Sequence, residues 1–144
     1  MKQLLDTINI FIIYSSSEHS TTILDTEMNN YHYHLGINKV IKNLCRDYEK
    51  DFHKLKGNSC KLLDIKQKPP LMIKPKQLIL FPLFSYRDNE NVFINYEKIL
   101  KIKAVGYEYT LIELKNGRRY CLHSNIRKIR RQLRRCHFLC QNYY

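Results

Sequence analysis

Between Ser124 and Cys140 the chain reads SNIRKIRRQLRRCHFLC, in which Arg127, Lys128, Arg130, Arg131, Arg134 and Arg135 place six cations in nine positions with no Asp or Glu beside them. Ile126, Ile129, Leu133, Cys136 and Cys140 recur at steps of three and four behind a candidate cap, Ser124 or Asn125. That spacing predicts a helix with one apolar stripe, its remaining circumference cationic. Cations three and four apart on a helix repel by roughly 0.2–0.5 kcal/mol per pair, and no acid within the segment relieves them. A helix that needed only solubility would mix in Glu, so the chemistry on offer is polyanion binding. Arginine outnumbers lysine five to one in this run. Its planar fork grips phosphate bidentately and enters narrow A·T-rich minor grooves, where the negative potential is enhanced. Gln132 and Asn125 are the amides able to reach base edges from such a helix.

Further cations join this set. Lys115, Arg118 and Arg119 flank an Asn116-Gly117 turn close by in sequence, and Lys74 and Lys76 end a proline-rich segment, where they would act as supporting phosphate contacts. Other chemistries fit less well. Cys136, His137 and Cys140 have ligand side chains, but the two cysteines fall on the core-facing stripe and read as buried thiols. His32 and His34 would project from one side of a strand without a third ligand at a useful spacing, and read as exposed strand histidines. There is no Gly-rich phosphate loop, nucleophile elbow or HExxH, and the acids are scattered, so neither an enzyme nor a cofactor or metal site is expected. A membrane-surface helix would carry Trp, Phe or Leu along its apolar face, where this one has short aliphatics and cysteine. Eleven tyrosines could stack on unpaired bases, which keeps an RNA-binding module open as an alternative.

The elements that must position these residues are legible in outline. The chain has 144 residues and 44% apolar content, enough for one domain with its own core. The longest apolar stretch, from Ile8 to Tyr14, is far below the roughly 18 residues of a membrane span and makes a poor signal peptide. Five cysteines without a CxxC spacing suit reduced thiols in a cytoplasmic protein. Of the formal charge of +12, residues after Met72 carry +10, fifteen basic against five acidic. Such asymmetry implies an acidic partner.

Ile8–Tyr14 and Thr21–Thr26 read as strands around SSSEHS, and YHYH from Tyr31 alternates as a third. From Asn38 to Lys56 the apolar spacing predicts a helix with Asn38 as cap and Gly57 as stop, its other face of mixed charge. Lys66 to Lys76 holds three of the four prolines and should be an extended connector into a strand over Leu78–Phe84. From Val92 onward the pattern is extended, with Asn116-Gly117 predicting a two-residue type I′ hairpin. Thr110, Ile112 and Leu114 would line one face of its first strand, and Leu111 and Glu113 the other.

These segments resemble the ComK family of competence transcription factors. KPPLMIKPKQLILFPLFS is similar to that family's KPPI…P…FLFPT.S, with Lys68, Pro69, Pro70, Pro75, Phe81 and Pro82 in matching places. Asn116-Gly117 matches its NG turn, Cys45-Arg46 its CR pair, and Gln132, Leu133, Arg135 and Leu139 its Q(V/L)xRxxxL helix. The resemblance implies an activator that binds paired A·T-rich boxes of double-stranded DNA upstream of DNA-uptake genes, largely through the minor groove, as a self-associating homo-oligomer. It further implies an adaptor-protease system that controls the protein, and RNA polymerase as an indirect partner. Relatives continue past the basic helix into a tail tied to regulated degradation, whereas this sequence ends at Tyr144, so a short ComK-like paralogue with altered specificity is an alternative.

The sequence thus predicts a single α+β domain over residues 1–144, a largely antiparallel sheet with a mixed-charge helix mid-chain and a basic helix at the C-terminus. The predicted function is cytoplasmic DNA binding without membrane contact. Arg127, Lys128, Arg130, Arg131, Arg134 and Arg135 would face the duplex, aided by Arg118, Arg119, Lys74 and Lys76.

Overall fold

In the computed structural model, which describes residues 9–143, the strand segments assemble into two antiparallel sheets. Six strands, β1 (Ile10–Ser17), β2 (Ser20–Asp25), β3 (Asn30–Tyr33), β4 (Leu71–Lys74), β5 (Leu78–Pro82) and β6 (Val92–Asn95), pair in the order β3-β2-β1-β6-β5-β4. Three more, β7 (Ile99–Val105), β8 (Tyr109–Leu114) and β9 (Arg119–Leu122), pair in sequence order. The helices are α1 (Ile37–Asp47), α2 (Phe52–Leu63) and α3 (Ile126–Tyr143). The α+β expectation with antiparallel sheets and a C-terminal helix therefore holds. Ile8, the predicted start of the first strand, lies outside the described residues.

The run IFII is buried at every position because β1 is an interior strand covered on both faces. A bulge between Ile10 and Ile12 breaks the simple alternation, so Ile10 and Ile13 join one core while Phe11 and Ile12 join the other. The first core packs Ile10, Ile13, Ile23, Leu71 and Leu80 under α1 and α2 through Val40, Ile41, Leu44 and Phe52. The second packs Phe11, Ile79, Phe81 and Ile94 against Ile112, Leu114 and Leu122 of the smaller sheet and Ile129 and Cys136 of α3. α3 is thereby fixed against the second core, with its C-terminal end beside α2.

Asn95 makes the passage between sheets. Fully buried, its Nδ2 donates to the carbonyls of Ile10 (2.8 Å) and Gln77 (3.1 Å), while its Oδ1 accepts from the N–H groups of Ile79 (3.1 Å) and Glu97 (3.2 Å). A 3-10 turn, Tyr96–Lys98, then carries the chain from β6 into β7, so the extended run predicted from Val92 is two strands in different sheets.

Three further expectations are corrected. The helix predicted over Asn38–Lys56 is two helices. Glu49 adopts φ 59°, its N–H donates to Arg46 O (2.9 Å), and the Lys50 N–H reaches back to Cys45 O (2.9 Å), a Schellman termination made without glycine. Asp51 then caps α2 by accepting from the Lys54 N–H at 3.0 Å. Asn38 lies inside α1, its amide donating to Tyr86 O (2.7 Å), and Gly57 lies inside α2, which ends at Asp64 with φ 53°. The predicted connector contains edge strand β4, which returns into β5 through a turn at Lys76 (φ 65°) closed by Gln77 N–H to Lys74 O (3.1 Å). In the β8–β9 hairpin positive φ falls on Gly117 (89°) and not on Asn116. Gly117 N–H donates to Leu114 O and Leu114 N–H to Arg118 O, which makes a three-residue loop, a type I turn followed by a glycine bulge.

Candidate nucleic-acid interface

α3 begins where Asn125 turns its side chain inward on the backbone. Its Oδ1 accepts from the Arg127 N–H at 2.8 Å and its Nδ2 donates to Tyr107 O at 3.0 Å. The neighbouring Ser124 is held by its carbonyl, which accepts from the Thr110 hydroxyl (2.8 Å). From there Ile129, Gln132, Cys136 and Leu139 are buried, and Ile126, Leu133 and Cys140 are half-buried. The buried stripe is thus shifted from the predicted one by the admission of Gln132 and Leu139. Gln132 is 2% exposed, and its Nε2 donates to Pro82 O (2.7 Å) and Lys68 O (3.0 Å). Both amides considered for base edges are therefore committed to internal bonds.

Arg127, Arg130, Arg131 and Arg134 are exposed. Positions 127, 131, 134 and 138 form one row along the helix and 130, 134, 137 and 141 the adjoining row, so the arginines share a continuous face with Phe138 and His137. The ion pairs among the described residues, Lys101–Glu113, Arg118–Glu27, Arg119–Glu113 and His123–Glu108, include none with α3.

The other cations of the predicted site differ. Lys128 is half-buried with its ammonium 4.2 Å over the Phe84 ring; burial, and then the charge of Lys68, push its pKa down. Arg135 is half-buried, its Nη1 donating to Gln132 Oε1 (3.2 Å), Gln67 O (3.3 Å) and Lys68 O (3.4 Å), and burial followed by Arg131 pushes its pKa down. Arg118 sends Nε (3.2 Å) and Nη2 (3.0 Å) to Glu27 Oε2, while Asn116 donates to Thr26 O (2.8 Å), so the hairpin tip is clamped to the turn between β2 and β3. Arg119 faces its ladder partner Glu113 at 3.6 Å, with Lys101 on the other side of that carboxylate at 3.8 Å. Lys74 places its ammonium 5.8 Å from the Tyr48 ring, at the α1–α2 corner. Lys76 lines a depression with Glu27, Glu97 and Lys115. Neither belongs to the arginine face.

Beside α3 the fold gathers further cations, two from the lysine-bearing connector and two, Lys56 and Arg87, that sequence reasoning did not select. Lys56 of α2, Lys66 and Lys68 of the connector, and Arg87 line a cleft of about 440 Å³ beside α3. Lys66 and Lys68 were visible as a lysine-rich run, but Lys56 and Arg87 lie far from them in sequence. No linear pattern marks that convergence.

The thiols of α3 do not assemble a metal centre: Cys136 is buried while His137 is exposed. Among the described residues no group of three or more His, Cys, Asp or Glu side chains could hold a metal ion. His32, exposed on β3, shares a 2.8 Å hydrogen bond between its Nδ1 and the Thr22 hydroxyl. No helix of the described residues is long and apolar enough to cross a membrane.

A family model described as "ComK protein" matches residues 6–143. No curated relative and no solved structure matches the chain at a significant level.

Proposed function

The chain belongs to the ComK family, a family of competence transcription factors, and from that premise we propose that it binds A·T-rich double-stranded DNA through the exposed face of α3. The observation that carries this reading is the row of Arg127, Arg130, Arg131 and Arg134, exposed together and free of carboxylate partners among the described ion pairs. Their guanidinium groups meet phosphates and the narrow minor groove of A·T tracts. Lys128 and Arg135 stand at the margin of the contact and hold the helix to the body. Arg118 and Arg119 contribute less, because Glu27 and Glu113 already neutralise them.

The length of the arginine row bears on assembly. Arg127 to Arg134 spans about 10 Å at 1.5 Å per residue, the rise of about three base pairs. One protomer reads only a short stretch, and paired boxes call for at least two, so the protein acts as a homo-oligomer. Activation of DNA-uptake genes, indirect contact with RNA polymerase, adaptor-protease control and a cytoplasmic location accompany this reading.

A second reading, RNA binding, draws on one end of the smaller sheet, where Tyr107 in the β7–β8 turn is 84% exposed and Tyr109 stacks on His123 at 4.7 Å. A competition gel shift on an A·T-tract duplex separates the two. The Arg130→Glu/Arg131→Glu variant, still folded by circular dichroism, is expected to lose the duplex. Undiminished retention by that variant, or homopolymeric RNA competing as well as duplex, defeats the proposal.

A further inference from the structure

We infer that the cleft between α2, the Lys66–Pro69 connector and the turn at Tyr86–Arg87 is a binding site for the phosphoryl group of a small phosphorylated molecule. Lys56 and Lys68, half-buried, and Lys66 and Arg87, exposed at its rim, line a space of about 440 Å³, and none of the residues lining it is a carboxylate. That volume lies within the range of small-ligand sites. An oxyanion placed among these cations accepts charge-assisted hydrogen bonds from them.

Lys56 sets the floor. Its ammonium lies 4.3 Å over the Tyr86 ring and 5.1 Å over the Phe52 ring, half-buried, with its charge held by ring faces instead of by an acid. Burial lowers its pKa, and Lys42 adds to that in the same direction while Cys60 opposes it. The Tyr86 hydroxyl donates to Pro69 O and so fixes one wall of the cleft against another.

Shape distinguishes this site from the α3 face. A duplex is convex and meets side chains that project from a surface, as the α3 arginines do. A recess with cations along its lining suits a terminal phosphate, with up to two negative charges and three acceptor oxygens.

The cleft also adjoins α3 directly. Lys68 has φ 55°, a left-handed conformation that its following proline makes costlier, and its carbonyl is gripped by Gln132 and Arg135 of α3. A phosphoryl group on Lys68 lowers the positive potential beside Lys128 and Arg131, so it weakens DNA association; that last clause alone rests on the DNA reading.

The test is isothermal titration of the full chain with inorganic pyrophosphate, with duplex DNA absent. Saturable one-to-one binding is expected for the unaltered protein. Lys66→Gln/Lys68→Gln should weaken it by at least about tenfold, through loss of two charge-assisted contacts. Arg130→Gln/Arg131→Gln, which acts on the cleft only through its field, should weaken it by less than about threefold, so failure of the DNA reading does not touch this result. If the double cleft variant does not fold, Arg87→Gln in the exposed turn serves in its place. Absence of saturable binding, equal binding by all variants, or loss of binding with the α3 variant overturns the inference.

Discussion

Replacing Arg130 and Arg131 together with glutamine removes two of the four exposed, unpaired arginines of α3 and leaves its buried stripe of Ile129, Gln132, Cys136 and Leu139 intact. If each of the four meets one phosphate, log K for duplex falls with log salt at a slope of about −3.6 per protomer, and the double variant should show about −1.8. Between about 50 and 200 mM KCl the unaltered chain then loses about 150-fold in affinity and the variant about 12-fold. Arg118→Gln provides the contrast. Its guanidinium already gives Nε and Nη2 to Glu27, so removing it should change the slope by well under about one unit. Fluorescence anisotropy on a labelled A·T-tract duplex, titrated at five salt concentrations, reads all three slopes. An unchanged slope in the double variant, or an equal drop in Arg118→Gln, would refute the reasoning that solvent-facing, unpaired arginines carry the contact.

Three other outcomes follow from the geometry. Gln132→Leu removes the Gln132 donor from the Pro82 carbonyl and leaves the Lys68 carbonyl to Arg135 alone, and should lower stability in urea by about 1–3 kcal/mol, while the salt slope of DNA binding stays as it was. Burial alone would raise the pKa of Asp25. The Asn29 and Glu27 N–H groups (2.9 Å each), Asn29 Nδ2 (3.2 Å) and Tyr31 hydroxyl (3.0 Å) outweigh it and hold the carboxyl below its ordinary 3.8. Its stabilisation is complete above that ordinary value and disappears as pH falls through the lower folded value, so Asp25→Asn should flatten the acid limb of a stability profile below about pH 4. Burial pushes the Cys45 thiol up to about 12 and Cys136 well above its usual range, whereas Cys121 is exposed. Iodoacetamide at about pH 8 should therefore modify Cys121 in the native protein and reach Cys45 and Cys136 only on unfolding, as mass spectrometry of the alkylated chain will reveal.

Local patterns were sufficient for much of this molecule. The three-and-four spacing from Ile126 to Cys140 predicted α3, the Asn-Gly pair predicted a hairpin, and the unbalanced cations marked a charged face, because periodicity and net charge are properties of neighbouring residues. The α1–α2 break escaped the same reading. Glu49 terminates the helix in a left-handed conformation usually given to glycine, and Asp51 competes as a cap, while the apolar spacing runs on through both helices undisturbed.

For the candidate site, the sequence by itself determined which residue types were available: arginine without acid over nine positions, on a helix with one apolar side. Only the tertiary structure decided which of those charges are free. Phe84 draws Lys128 against the body, the Lys68 carbonyl takes Gln132 and Arg135, and Glu27, 91 residues from Arg118 in the chain, neutralises the hairpin tip. Whether a cation is available to a partner depends on the ring, carbonyl or carboxylate that packing brings within a few ångströms. Those distances are set by sheet order and helix placement, which no short run of sequence records.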